Sequence, residues 1–554
     1  SPSLCTHPLT MLSSVKNALV TSAAGLVTGS TLLGSLPRSY VSEGSAWSPE
    51  LEAEPVIITD PEEIVDTALI DTLLAGTKDL ATDVVEVERI LAKAWDNALL
   101  KNVTACELKD EFVQGLTLEE AATLLNVDYE AHPELEEALF KTALAIKERI
   151  YGKRIVIFAP LYAANYCCNG CLYCGYNAAN HGTERSHLTP EEVESEVKAI
   201  CNSGHKRILM LCGEHPNYTF DDFLEAVQIA AKTKSGPHGE VRRINVEVPV
   251  LSVTDLKRLK ATDAVGTYTV FQESYHRPTY KAMHPWGPKS DYDYRLTCMD
   301  RSMMAGIDDV GIGALFGLYD WKYEVLGLLQ HANHLNDKWK CGPHTISIPR
   351  LKPAKNAPAS TDVPHAVSDA ELKRLVAIMR LAVPYTGMIL STRESAELRS
   401  ELLDLGISQL SAGSRTAVGS YDEAEQGGED DAEAGQDQEG QFELADHRTV
   451  DEIIYSLMED GYVPSACTAC YRVGRTGEAF MKWAKTGSIH NCCLPNAVIT
   501  LQEYLEDYAP QETKELGEQV IADALTRVDD LERRAETEEF LRQIKEEDAR
   551  NMCF

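Results

Sequence analysis

Eight short β-rich runs alternate with helical patterns between Arg154 and Arg415, and that rhythm leaves few folds open. The runs are Arg154–Leu161, Lys206–Leu211, Ile244–Val250, Thr267–Gln272, Asp309–Phe316, Thr345–Arg350, Met388–Thr392 and Gln409–Ser414. Between them lie amphipathic segments such as Pro190–Asn202, Phe220–Thr233, Tyr292–Ala305, Lys322–Leu335 and Asp369–Leu381. Strand–helix alternation argues for parallel βαβ units, and eight repeats close a barrel. An open doubly wound sheet is the alternative, but no Gly-x-Gly-x-x-Gly fingerprint follows the first run. The expected class is therefore α/β, a (β/α)8 TIM-type barrel over 151–416. A helical N-terminal extension (51–150) precedes it, and a mainly helical C-terminal region (447–554) follows.

The chain has 554 residues, 86 acidic against 52 basic, for a formal charge of −34. So negative a surface excludes nucleic acid or an anionic membrane as the main partner. Residues 1–50 hold no Asp or Glu before Glu43 and are rich in Ser, Thr, Leu, Ala and Gly. They resemble an organellar transit segment, with a merely disordered terminus as the alternative. No run of 18 apolar residues occurs, so a soluble protein is expected. Residues 417–446 read as an acidic disordered insertion: Gly419–Gly440 holds nine Asp and Glu and no Lys or Arg. The tail Gln511–Arg550 reads as a surface helix or helical hairpin.

Fifteen cysteines are too sparse for a disulfide scaffold, but they cluster. Cys167, Cys171 and Cys174 form C-x3-C-x2-C just after the first strand. Three thiolates so spaced suit three corners of a 4Fe–4S cube, leaving the fourth iron for a small molecule. Zinc is the competing reading, with Cys168 as a fourth ligand. Cys467, Cys470 and, after 22 residues, Cys493 make a second triad, which zinc also fits if Cys492 joins it. In a barrel, active residues follow the strands at one face. Those positions hold Gly213-Glu214, Gln272-Glu273, Gly313, Gly317, Arg350, Arg393-Glu394 and Arg415.

The first triad, with Tyr173 before its last cysteine, resembles the cluster loop of the radical S-adenosylmethionine (SAM) superfamily. Gly213-Glu214 resembles that superfamily's contact with the SAM amino group. The stretches Phe271-Gln272-Glu273-Ser274-Tyr275-His276-Arg277, Gly311–Leu318 and Ser347-Ile348-Pro349-Arg350-Leu351 are similar to its tyrosine lyases. Two branches share them, the thiazole-synthesis lyases (ThiH) and the FeFe-hydrogenase maturase lyases (HydG). Both cleave the Cα–Cβ bond of L-tyrosine to p-cresol and dehydroglycine. The second triad, in the frame Cys467-Thr468-Ala469-Cys470-Tyr471-Arg472, resembles the auxiliary-cluster motif of the maturase branch, which turns dehydroglycine into CO and cyanide.

The resemblance implies two iron–sulfur clusters, SAM, an electron donor such as ferredoxin or flavodoxin, and other hydrogenase maturation proteins as partners. With the N-terminal profile it implies an algal chloroplast stroma, or else a mitochondrion. SAM contacts are expected from Gly213, Glu214, Tyr173, Gly311 and Gly313. The tyrosine carboxylate wants a bidentate guanidinium, from Arg350 or Arg415, unless those pair with rim acids. Gln272, Ser411 and Ser414 are candidates for the amine, and Tyr162, Glu273 and Tyr275 for the phenol or its proton. An extra iron on the auxiliary cluster would take imidazole. His344 opens the sixth strand some 20 Å below Arg350, at the opposite mouth, with His331 and His334 as competitors. A lyase stopping at dehydroglycine and a zinc-stapled binding scaffold are the alternative functions.

Overall fold

In the computed structural model eight parallel strands close on themselves: β1 (Arg154–Ala164), β2 (Arg207–Cys212), β3 (Arg243–Glu247), β4 (Val265–Glu273), β5 (Val310–Ala314), β6 (Thr345–Ser347), β7 (Gly387–Leu390) and β8 (Gln409–Ser411). The ring shuts where β8 returns to β1, Val156 opposite Gln409 and Phe158 opposite Ser411. The expected barrel is the fold found. The structure describes residues 59–98, 114–427, 440–472 and 475–554. The transit-like first 50 residues lie outside them.

Thr189–Glu192, Thr219–Asp222 and Ser368–Glu371 each close a reciprocal capping box, which starts three of the outer helices. Between strands and helices the packing is dry, with Ile157, Ile208, Ile244, Ile312 and Ile346 all at most 4% exposed. Helices Thr67–Gly76, Leu118–Asn126 and Pro133–Tyr151 precede the barrel and pack on its helices Trp321–Trp339 and Asp369–Ala382. The tail forms two helices, Gln511–Thr526 and Leu531–Glu547.

Five strands end two or three residues earlier than the sequence pattern suggests, and for two of them a proline gives the reason. β3 stops at Glu247 and β6 at Ser347, in each case two residues before a proline (Pro249, Pro349) that cannot donate to a ladder. Both endings move residues from mid-strand to the mouth of the barrel.

A further strand, β9 (Val463–Ser465), pairs with the opening residues of β1, Arg154 opposite Val463. It lies at the N-terminal mouth of the barrel, so whatever follows it belongs to the bottom. β1 has 11 residues, which at about 3.3 Å per residue puts its two ends roughly 33 Å apart.

Residues 417–446 are not the uniform disordered insertion expected. Ser420–Gly427 is helical, and buried Tyr421 donates its hydroxyl to the Pro160 carbonyl at 2.8 Å. After 428–439, which lie outside the described residues, the chain crosses the top of the barrel. There Glu443 N–H donates to Pro353 O at 2.9 Å and Ala445 N–H to Thr392 O at 3.0 Å. The run of acids between these stretches masks the apolar anchors Tyr421 and Phe442 at its ends.

Candidate functional site

At the top mouth, the loop after β1 carries Cys167, Cys171 and Cys174, all three lining one cavity of about 140 Å³. Arg185 holds this loop, its guanidinium donating to the carbonyls of Asn165, Tyr176, Asn177 and Asn180. Gly170 lets Trp286 lie on the loop, since a Cβ there would come within 2.3 Å of the indole. Gly213 is required for a similar reason: a Cβ would stand 2.2 Å from the Tyr166 carbonyl. That close approach presses the end of β2 against the cysteine loop, where Glu214 accepts from Asn169 Nδ2 at 3.0 Å and, through its carbonyl, from Cys168 N–H at 2.8 Å. Tyr173 lines the same cavity and donates its hydroxyl to His284 Nε2 at 2.7 Å.

These residues fit a cluster bound through three thiolates. Burial pushes the Cys171 and Cys174 thiols up, so a bound cation is what would ionise them. Asn169 Nδ2 stands 3.6 Å from Cys167 Sγ and Gln441 Nε2 3.7 Å from Cys174 Sγ, N–H groups placed against sulfur that carries charge when ligated. Among the described residues no three Cys, His, Asp or Glu side chains draw around a single ion-sized point; the thiols stand apart on the cavity wall. Cys168 does not line the cavity, and its thiol is pushed up to about 12 by burial and then by Glu214.

Below this cavity lies a second, of about 90 Å³, inside the barrel. Leu211, Glu247, Phe271, Arg393 and Phe442 line both. The inner cavity also takes in Ser411, Ser414, Asn245 and Gln409. The barrel centre is hollow, helped by Gly311 and Gly313, whose missing side chains make way for Thr269, Thr345 and the Phe271 ring. Those two glycines shape the interior without lining the upper cavity.

Several expected site residues stand elsewhere. Gln272 lies between inward-facing Phe271 and Glu273, so alternation turns it outward, toward the Tyr292 carbonyl at 3.4 Å. Tyr275 is behind the wall, packed on Gly327 and hydrogen-bonded to His331 Nδ1 at 3.0 Å. Arg350 is spent on the rim, paired with Glu394 and with Asp369 at 2.8 Å. Arg415 lies outside both cavities beside Tyr421. The guanidinium that lines both cavities is Arg393, three residues past β7, stacked 3.4 Å over the Phe442 ring. Burial holds it below the usual arginine range, and no carboxylate of the described residues pairs with it. Gln441 and Phe442 were also hidden from the sequence reading, inside the supposed insertion. Ser411 does line the inner cavity, its hydroxyl accepting from Thr392 N–H at 3.1 Å.

The second triad sits at the opposite mouth. Cys467 follows β9, Cys470 lies in the turn Ala469–Tyr471, and Cys493 opens helix His490–Asp507. Around them stand Arg154, Arg207 and Arg243, the first residues of β1, β2 and β3, each with one buried nitrogen lacking a partner. Tyr471 stacks under Arg243 at 4.1 Å and Arg207 at 5.0 Å. Burial pushes the Cys467 thiol up to about 11, with Arg154 and Arg207 opposing the shift. His344 Nε2 comes 3.9 Å from Cys470 Sγ, while its Nδ1 meets Asp309 at 2.6 Å and its ring is stacked between Tyr471 and Phe480. A carboxylate on one nitrogen leaves the other as a free ligand, the arrangement of metal-binding histidines. His331 and His334 are engaged by Tyr275 and Asp300. Cys492 faces Arg533 and Arg475.

Similarity to known proteins follows the same map. A family model described as the Radical SAM superfamily matches residues 161–329, and one described as the Biotin and Thiamin Synthesis associated domain matches 347–463. A crystal structure of HydG, a maturase of the FeFe-hydrogenase, is similar at TM-score 0.80 and 46% identity, covering 89% of this chain and 100% of that one. HydG from Carboxydothermus hydrogenoformans is similar at TM-score 0.68 and 36% identity, covering 86% and 99%. The 2-iminoacetate synthase of Escherichia coli (strain K12) is 31% identical over 288 residues, 51% of this chain and 73% of that protein. With its cysteine loop, hollow barrel and shared sequence, this chain belongs to the radical SAM superfamily and, within it, to the tyrosine-lyase family of HydG and 2-iminoacetate synthase.

Proposed function

We propose that this protein cleaves L-tyrosine to p-cresol and dehydroglycine at the top of the barrel, and that the dehydroglycine becomes CO and cyanide at the bottom, for assembly of the FeFe-hydrogenase active-site cluster. The observation that carries this is two cysteine triads at opposite mouths of one hollow barrel, the second beside a carboxylate-backed histidine. Cys167, Cys171 and Cys174 would hold the 4Fe–4S cluster, with Gly213, Glu214 and Tyr173 about the SAM. When bound, that pair supplies a 5′-deoxyadenosyl radical that abstracts hydrogen from the substrate. Cys467, Cys470 and Cys493 would hold the auxiliary cluster, and His344 an extra iron, which supplies a site for CO and cyanide.

The chain's own part is to place and enclose the substrate. Arg393 offers an unpaired guanidinium for the tyrosine carboxylate, and Ser411 and Ser414 line the inner cavity as hydroxyl partners for the amine. Leu211, Phe271 and Phe442 exclude water around the ring. Asn245 and Gln409, in the inner cavity, contact Arg243 and Arg207 at 3.2 and 3.5 Å. A carboxylate product is thus drawn downward to the guanidinium ring. The one-electron donor is a ferredoxin or flavodoxin on this reading, and other maturation proteins accept the product. The acid-free N-terminal stretch favours a plastid. No helix among the described residues is long and apolar enough to cross a membrane.

Anaerobic turnover with isotopically labelled tyrosine, SAM and a reductant tests the reading. It expects p-cresol, 5′-deoxyadenosine and infrared bands of metal-bound CO and cyanide. No 5′-deoxyadenosine would overturn it, and p-cresol without the infrared bands would leave a lyase stopping at dehydroglycine. Arg393→Leu should raise KM for tyrosine by about thirtyfold or more, since losing one partner of a buried charge pair costs about 2–5 kcal/mol. An unchanged KM would take Arg393 out of the substrate site.

A further inference from the structure

The top face of the barrel holds four carboxylates at or near strand ends, and three of them have partners. Glu214 accepts from Asn169, Glu273 from Lys289, and Glu394 from Arg350 and Lys352. The fourth is Glu247, whose carboxyl makes no hydrogen bond or ion pair with any described residue, and the surface it keeps open faces the two cavities. It ends β3, and Arg393 follows β7, the strand four places round an eight-stranded ring. The junction of the two cavities, walled by Leu211, Phe271, Pro349 and Phe442 with Tyr162 and Gln441, therefore carries one guanidinium and one carboxyl on opposite staves. An amino acid held at Arg393 by its carboxylate would extend its side chain toward Glu247, across a barrel wide enough for one small ligand.

Leaving a carboxyl unpaired in such a place is costly, and a structural role would have given it a partner. We propose that Glu247 is the base that takes the phenolic proton of the substrate as the Cα–Cβ bond parts. This rests on the tyrosine-lyase reading. The phenol O–H breaks and an O–H forms on Glu247. One electron of the Cα–Cβ bond stays on the departing ring fragment, a 4-oxidobenzyl radical anion. The other pairs with the unpaired electron left on nitrogen after hydrogen abstraction, making the C=N bond of dehydroglycine. No oxidant or reductant is consumed in the step. Delocalising charge and spin together over the ring makes the fragment a better leaving group than a neutral hydroxybenzyl radical.

Burial pushes the Glu247 carboxyl up to about 7; the charge of Glu273 on β4 adds to this, while Arg393, Lys289 and Arg295 oppose it. Tyr162 on β1 is the other titratable group on the junction, and its hydroxyl is committed to Gln441 at 2.9 Å. A base works best when its pKa lies near the operating pH.

The test uses the reconstituted holoenzyme and its Glu247→Gln and Glu247→Asp variants, reading p-cresol and 5′-deoxyadenosine together. Glu247→Gln should lower p-cresol formation by about 10²–10⁴-fold, the usual worth of a general base, while 5′-deoxyadenosine continues to appear. Wild type should gain p-cresol rate as pH rises through about 7, Glu247→Asp should keep part of that rise, and Glu247→Gln should lose it. A ring-fluorinated tyrosine whose phenol ionises below neutral pH should restore Glu247→Gln to within about tenfold, because the proton is already gone. Without SAM, tyrosine bound to wild type should show its ultraviolet phenolate band only at higher pH than tyrosine bound to Glu247→Gln, because an ionised Glu247 beside the phenol disfavours a second negative charge. A Glu247→Gln enzyme with the wild-type product ratio and pH profile overturns the proposal alone. A wild type that makes 5′-deoxyadenosine but no p-cresol overturns the lyase reading and the proposal with it.

Discussion

Cys171→Ser should abolish 5′-deoxyadenosine formation while leaving iron at the second triad. Cys171 is 5% exposed at the cavity wall, on a loop that Arg185 ties down through four carbonyls. A serine hydroxyl stays protonated where a metal-bound thiol ionises, so one corner of a three-legged cluster loses its leg. The loss should exceed the ten- to hundredfold typical of changes one step further from a metal. Because the loop's hydrogen bonds use backbone carbonyls and Asn177, Asn180 and Arg185 rather than the thiol, the fold should survive. Iron content falling from two clusters to one, with an unchanged melting transition, is the expected result. A Cys171→Ser enzyme that still cleaved SAM at a near-normal rate would remove this triad from the chemistry.

His344→Ala should divide the reaction in two. Its imidazole opens β6 at the opposite mouth from the one where tyrosine would be cleaved, about 20 Å away by the strand rise. Losing it should leave p-cresol formation within about threefold of wild type, while metal-bound CO and cyanide disappear from the infrared spectrum. Asp309→Asn is the gentler version. Asp309 holds His344 Nδ1, accepts from Thr267 Oγ1 at 2.6 Å and is kept below the usual carboxylate range chiefly by that histidine, against the opposing effect of burial. Replacing it keeps the ring but loosens its orientation, at a cost of about 10–100-fold in iron affinity at this site. Equal loss of p-cresol in both variants would mean that His344 supports the barrel and not a second site.

Much of this was legible in the residues. Periodicity located all eight barrel strands and the outer helices Pro190–Asn202, Phe220–Lys232, Trp321–Trp339 and Asp369–Ala382, since a strand or helix buried on one side repeats its pattern locally. Cysteine spacing marked both triads, because a short loop fixes how far apart its thiols can stand. Strand arithmetic put His344 at the mouth away from Arg350, and the second triad is found beside it.

Direction was harder to read than position. Arg350, Arg393 and Arg415 all end or follow strands, and nothing in their neighbours distinguishes the one that faces the cavity. Arg393 and Glu394 lie in the turn after β7, where Arg393 points into the cavities while Glu394 stays at the rim and takes Arg350 with it. Alternation along β4 turns Gln272 outward, and Tyr275 lies past the end of that strand, behind the wall. Glu247 went unremarked because the β-rich pattern runs on to Val250; only the early end of β3 brings that carboxyl to the mouth.

The sequence by itself determined the kind of barrel and the two places where metal clusters would attach, because both depend on contacts and spacings within a few residues. Tertiary structure alone decided which charges meet in the cavity. Gln441 reaches Cys174 across 267 positions, and Arg393 looks over at Glu247 from the far side of the ring. Such meetings arise only when the sheet closes, and no local window of sequence contains them.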